Sequence, residues 1–264
     1  MKNNIFLNVL ILATIFVVSA KANTLMEPEG VHNCAKNKEL LCDANEDLFT
    51  GTVTIKYPDG TVRSISSLKE GVLDGVRKIF YPNGTLKQEE TFKAGMEDGV
   101  QKLYYKNGTL KMEGFFNNKK PVGSLKVYYE SGKLQSETVF IEGENVVVIK
   151  GYWENGNLKA EGKQVNVDYD KLAGIPDGPQ RAYYEDGQLS QESNYKNGIK
   201  HGKVMEYYRN GQLKLEGNFK DNKAEGISKV YHENGKLQME VTFKDGEVIS
   251  GKMYDENGEL IGEQ

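Results

Sequence analysis

The sequence predicts an all-β protein, an elongated single-layer antiparallel meander of about nine tandem hairpins of about 24 residues each. Three observations predict it. The glycine of an Asn-Gly, Asp-Gly or Ser-Gly turn recurs at Gly60, Gly84, Gly108, Gly132, Gly156, Gly187, Gly211, Gly235 and Gly258, at gaps of 24, 24, 24, 24, 31, 24, 24 and 23 residues. Short aromatic and β-branched runs flank these turns, which is the composition of strands joined by hairpins. No segment beyond the first 22 residues sustains a helical period.

Taken in order, Met1 to Ala22 reads as a cleavable signal peptide: Lys2, a mostly apolar run from Ile5 to Val18, then Ala20-Lys21-Ala22 as a small-x-small cleavage site. The run is short for a membrane span. No lipobox precedes Cys34, so the expectation is an exported protein that is not a lipoprotein, placed in the periplasm, on the cell surface or in the medium. Residues 23–48 form an N-terminal cap. Cys34 and Cys42 lie there, and in an exported chain a lone pair is expected to close a disulfide. A metal site using His32 with them lacks a fourth ligand at a recognised spacing. The cap is expected to cover the first strand edge, which would otherwise be open to other chains.

Residues 49–264 form the array. Paired aromatics or their substitutes precede most turn glycines (Phe80-Tyr81, Tyr104-Tyr105, Tyr128-Tyr129, Tyr152-Trp153, Tyr183-Tyr184, Tyr207-Tyr208, Tyr231-His232), and a leucine follows two residues after the glycine, as at Leu86 and Leu110. Glutamate stands five after it, and in most copies an aromatic eight after, such as Phe92 and Phe116. A two-residue turn would set Tyr81 against Leu86; a type I turn with Gly84 as a left-handed bulge would set Phe80 against Leu86. Pro58 and Pro82 favour the bulge, because proline suits the second residue of a type I turn and glycine its fourth. The first aromatic, the leucine and the later aromatic then share one face, with the second aromatic and the glutamate on the other. Lys78, Lys102, Lys126, Arg181 and Lys229, six before the glycine, become near-diagonal neighbours of that glutamate column.

The copies YYKNGTLKMEGFFNNKKPVG and YYRNGQLKLEGNFKDNKAEG resemble the bacterial MORN-repeat variant of the YwqK-type antitoxin family, over about residues 50–262. The resemblance implies a MORN-like hairpin array in a binding or structural protein, and for one branch of that family a toxin-neutralising role.

Two departures break the period. Val147, within Val146 to Ile149, replaces a linker glycine, so that repeat is expected to carry a longer, more buried strand. Seven extra residues fall near 163–178, in a loop that can mark a contact surface. From this loop Asp168, Tyr169 and Asp170 are candidate partner contacts; from the array the second aromatics Tyr81, Tyr105, Tyr129, Trp153, Tyr184 and Tyr208 are candidates too, since tyrosine and tryptophan stack while keeping a polar handle.

The formal charge of −4 becomes −6 once Lys2 and Lys21 leave with the leader, which gives no footprint for nucleic acid. Peripheral membrane contact is compatible with the composition. Phosphate-loop, nucleophile-elbow and His-Glu-x-x-His signatures are absent, and the glutamates form a periodic column instead of a cleft-lining pair. The expectation is a non-catalytic exported scaffold without catalytic residues, cofactor or metal, binding a protein partner or an envelope glycan; the alternative is an immunity protein with a toxin as partner.

Overall fold

The computed structural model describes residues 30–169 and 171–264, and among these there is no helix. The leader read at residues 1–22 and the candidate Asp170 lie outside the described residues. Two units divide the chain, one ending at Gln135 and the other running from Ser136 to Gln264.

The first unit opens on a cap of two short strands, β1 (His32–Asn33) and β2 (Leu41–Cys42), joined by a disulfide between Cys34 and Cys42. Six further antiparallel partners then follow β3 (Gly51–Lys56) in sequence order: β4 (Val62–Lys69), β5 (Val72–Phe80), β6 (Leu86–Lys93), β7 (Met96–Tyr104), β8 (Leu110–Asn117) and β9 (Lys120–Tyr128). Val31 packs with Val53 and Leu68 on the buried face of the first hairpins. Leu41 N–H donates to Gly71 O at 3.0 Å, and Gly71 N–H donates to Phe49 O at 2.8 Å. The cap thus closes over a sheet face and the β4–β5 turn, where Val31, Leu41 and Phe49 bury apolar surface.

In the second unit β10 (Leu134–Phe140) is followed by β11 (Val146–Tyr152), β12 (Leu158–Asp168), β13 (Ala173–Tyr183), β14 (Leu189–Lys196) and β15 (Ile199–Tyr207). Next come β16 (Leu213–Lys220), β17 (Lys223–Ala224), β18 (Gly226–Tyr231), β19 (Leu237–Lys244), β20 (Glu247–Tyr254) and β21 (Leu260–Glu263). From β11 on, each is antiparallel to the strand before it, except that β16 pairs with both β17 and β18, which share the place of one strand.

The turns adopt the bulge geometry. Gly84 has φ 82°, its N–H donates to Tyr81 O at 2.9 Å, and Tyr81 N–H donates to Thr85 O at 2.8 Å. Phe80 accordingly faces Leu86, and Tyr104 faces Leu110. A register shift follows at once, between Ile79 and Phe80, so that Ile79 faces Gln88 and Lys78 faces Glu89 directly. Two expectations are corrected by this shift. The basic and acidic columns are directly opposed, as in Lys78 with Glu89 at 3.3 Å and Lys229 with Glu240 at 3.7 Å, and not diagonal. The later aromatics also change sides. The extra residue, Lys87 in this repeat, inverts the alternation beyond it, and such a one-residue slip moves every following side chain to the other face. Phe92, Phe116 and Phe140 are buried on the face that carries Glu90, while the first aromatics lie with the glutamate column.

The two departures also resolve differently. β11 is seven residues long, against nine in β5, β7 and β9, although Val147 is buried. In sister repeats the glycine at this place permits a bulge: Gly99 has φ 126°, and the β6–β7 register shifts beside it. Valine does not take that conformation, so β10 and β11 pair from Phe140–Val147 to Ser136–Gly151 without a shift, and the residues saved enter a wider turn around Gly143. Most of the extra residues extend strands instead of forming a loop: β12 and β13 are eleven residues each, against eight and nine in β6 and β7, with Val165 facing Ile175. Alternating Val165 and Val167 suit a strand, and Val167 is buried.

Candidate functional site

The second aromatics stand at the rim where the bulged turns lie, and their polar ends reach the next repeat. Tyr81 Oη donates to Tyr104 O (2.9 Å), Tyr105 Oη to Tyr128 O (2.8 Å), Tyr184 Oη to Tyr207 O (2.6 Å) and Tyr208 Oη to Tyr231 O (2.7 Å). Trp153 Nε1 donates to Tyr183 O at 3.2 Å, and Tyr57 repeats the pattern toward Phe80 O at 2.8 Å. Tyr129 occupies the same place in its turn, where its N–H donates to Lys133 O. The hydroxyls of Tyr81, Tyr105, Tyr184 and Tyr208 and the indole N–H of Trp153 are therefore engaged within the array, each tying one hairpin to its successor.

The turn asparagines reinforce this tie. Asn210 Oδ1 accepts from Gln212 N–H at 2.9 Å while its Nδ2 donates to Glu233 O in the next turn at 3.0 Å; Asn155 and Asn234 do the same. Asparagine offers both an acceptor and a donor, and aspartate lacks the donor.

On the face of the glutamate column, first aromatics donate to glutamates: Tyr128 to Glu113 (2.7 Å), Tyr183 to Glu161 (2.9 Å) and Tyr231 to Glu216 (2.8 Å). Desolvation first, and then the adjacent carboxylate, pushes the Tyr183 and Tyr231 hydroxyls up to about 12. Arg181 bridges two strands, with Glu192 at 2.5 Å and Glu161 at 3.6 Å. This is a solvated ionic ladder.

The opposite face holds a polar cluster that sequence reasoning missed. Glu90 is 3% exposed; it accepts from Arg77 Nε at 2.7 Å and Gln88 Nε2 at 2.6 Å, and Arg77 also lies over the Phe92 ring. Burial pushes the Glu90 carboxyl up despite Arg77. Gln101, facing Glu90 across the β6–β7 ladder, is buried with its Nε2 unpartnered.

A second missed feature is the residue three after the turn glycine. Arg63, Lys87, Lys111, Lys159 and Lys214 lie over the rings of Tyr57, Tyr81, Tyr105, Trp153 and Tyr208, at 5.9, 5.8, 5.4, 4.4 and 5.9 Å from the centroids. The column was visible in the repeat alignment; its meaning depends on the bulge that aims it at the ring.

Of the insertion candidates, Asp168 pairs with Lys171 at 2.6 Å, and Tyr169 stacks on Phe140 with centroids 6.0 Å apart. Among the described residues no group of three or more histidines, cysteines or carboxylates is placed to hold a metal ion.

These features define a tandem-repeat β-hairpin protein whose recurrent side chains couple each hairpin to the next. The MORN repeat variant model matches residues 73–94, 97–118, 121–142, 176–197, 200–221 and 224–245, half of the 264 residues. The chain belongs to the MORN repeat variant family, whose repeats suggest a binding scaffold and are generally non-catalytic. No curated protein matches its sequence.

Among solved structures, the chain is similar at 11% identity to one of TcdB2-TccC3-TEV, with a TM-score of 0.20, over 82% of this chain and 14% of that one. It is also similar at 10% identity to a Photorhabdus luminescens Tc holotoxin pore carrying TccC3-D651A, with a TM-score of 0.15, over 84% of this chain and 17% of that one. The chain thus spans less than a fifth of the length of either.

Proposed function

We propose that this protein is an exported, non-catalytic scaffold of the cell envelope that binds a protein partner through the long β12–β13 hairpin. The observation that carries this reading is the hairpin itself. It departs from a repeat held to 24 residues elsewhere in most gaps, and it spends most of the extra residues on longer strands, with Asp168 at the end of β12 and Tyr169 and Lys171 in the turn that follows. An insertion kept ordered in an otherwise uniform array is a natural place for partner-specific contacts. The second aromatics, tied into the ladder, serve this scaffold by holding successive hairpins together.

Removing residues 165–173 brings the repeat back near standard length. The β circular dichroism is expected to persist while capture of an envelope protein is lost; unchanged capture would exclude this hairpin as the contact. The YwqK-type resemblance favours one class of partner, a toxin. Co-expression separates that reading from a general scaffold, since a lethal product of a neighbouring gene rendered harmless by this chain supports neutralisation, and an absence of toxicity removes it.

A further inference from the structure

The bulged-turn rim of the first unit is strongly basic. Across residues 56–63, 80–87, 104–111 and 128–135 it carries Lys56, Arg63, Lys87, Lys106, Lys111 and Lys133 against Asp59 and Glu130, six cations to two carboxylates and a net +4. The matching rim of the second unit, residues 152–159, 183–190, 207–214, 231–238 and 254–261, carries four cations to seven carboxylates, a net −3. Whole-chain charge conceals this contrast.

Among the described residues none of those six cations is in an ion pair, whereas the basic residues of the strands, such as Arg77, Lys78 and Arg181, face carboxylates. Lys56, Lys87, Lys106, Lys111 and Lys133 are exposed. Arg63, Lys87 and Lys111 each lie over a tyrosine ring, so their charges are held at a fixed place on the rim. One such cation occurs in each of three successive hairpins, and a hairpin advances by two strand spacings, about 10 Å.

We infer that this rim binds an acidic polysaccharide carrying one carboxylate per disaccharide. The inference takes the scaffold reading as given and adds a second ligand of a different class. A disaccharide is about as long as the two-strand step, so successive carboxylates fall opposite successive cations. Duplex nucleic acid, with a charge every ~1.7 Å of axis, is far too dense for the row. A membrane calls for a patch extended in two dimensions, where this rim offers a single line. An acidic peptide would need partners for its backbone amides, and the turn backbone here is already bonded within each turn.

Hyaluronan, a glucuronate and N-acetylhexosamine copolymer, is the probe, with titrations of defined-length oligosaccharides at two salt concentrations. The full chain binds it, less tightly at higher salt, and affinity rises with length until three repeats are spanned. K87Q/K111Q lowers affinity roughly tenfold with unchanged circular dichroism, as expected for losing two exposed ion pairs. K159Q/K214Q, which alters the same positions on the acidic rim, leaves binding unchanged.

Absence of binding overturns the inference, as does equal weakening by both variants, or binding to phosphatidylglycerol vesicles without binding to hyaluronan. The variant lacking residues 165–173 keeps hyaluronan binding. Failure of the hairpin reading and failure of this one are therefore read out separately.

Discussion

At the scale of single residues, the most consequential side chain is Glu90. It is buried, accepts from Arg77 and Gln88, and holds the guanidinium against the sheet beside Phe92. Removing one member of a buried, hydrogen-bonded pair leaves the other without compensation, a larger effect than loss of the pair's own attraction. Glu90→Ala is expected to destabilise the first unit by about 2–3 kcal/mol in urea unfolding, the lower end of what such breaks cost because Arg77 keeps some contact with solvent. Glu90→Gln, which keeps the shape and one of the two acceptor oxygens, should cost less. Equal losses would show that the charge of Glu90, and not its shape, holds this cluster. None of this was legible in the sequence. Glu89 and Glu90 are adjacent and chemically identical, and which of them turns inward depends on the register shift beside Phe80. The disulfide partners, by contrast, were readable because the chain has just two cysteines.

At the scale of the hairpin, the unit is a pair of strands, a bulged turn and the donors that reach the next unit. The tyrosine ladder uses one hydroxyl per repeat to satisfy a carbonyl at the rim, so Tyr105→Phe is expected to cost about 1 kcal/mol. Tyr184→Phe, in the other unit, should add to it within about 0.5 kcal/mol, as distant sites do. Urea midpoints of the single and double variants check this, and no change in either would mean that water replaces the hydroxyl at no cost. The turn type was legible, because Tyr-Pro-Asn-Gly prescribes a type I turn closing on a left-handed glycine. The second register shift was not, because Lys87 is an ordinary exposed residue that carries no bulge signature; the face assignment built without it was therefore inverted. Likewise the run Val146 to Ile149 signals strand, but the effect of losing the bulge glycine lies in the pairing with β10 and not in the run itself.

At the scale of the whole molecule, the repeat period carried nearly all of the architecture, since a unit that pairs with its sequence neighbours needs no distant information. The placement of function was less accessible. The recurrent second aromatics read as a candidate surface in the sequence, and in the fold they also bond successive repeats, while the basic rim emerges only when turns from successive repeats are brought side by side. The central claim is that each hairpin is held by nearest neighbours through an interchangeable set of contacts. The most direct measurement is excision of one period, residues 85–108, which rejoins Gly84 to Thr109 and preserves every later register. This variant is expected to fold with the same β circular dichroism per residue and a cooperative unfolding transition, whereas a variant lacking residues 85–96, half a period, is not. Collapse of the full-period variant, or equal tolerance of both, would contradict it.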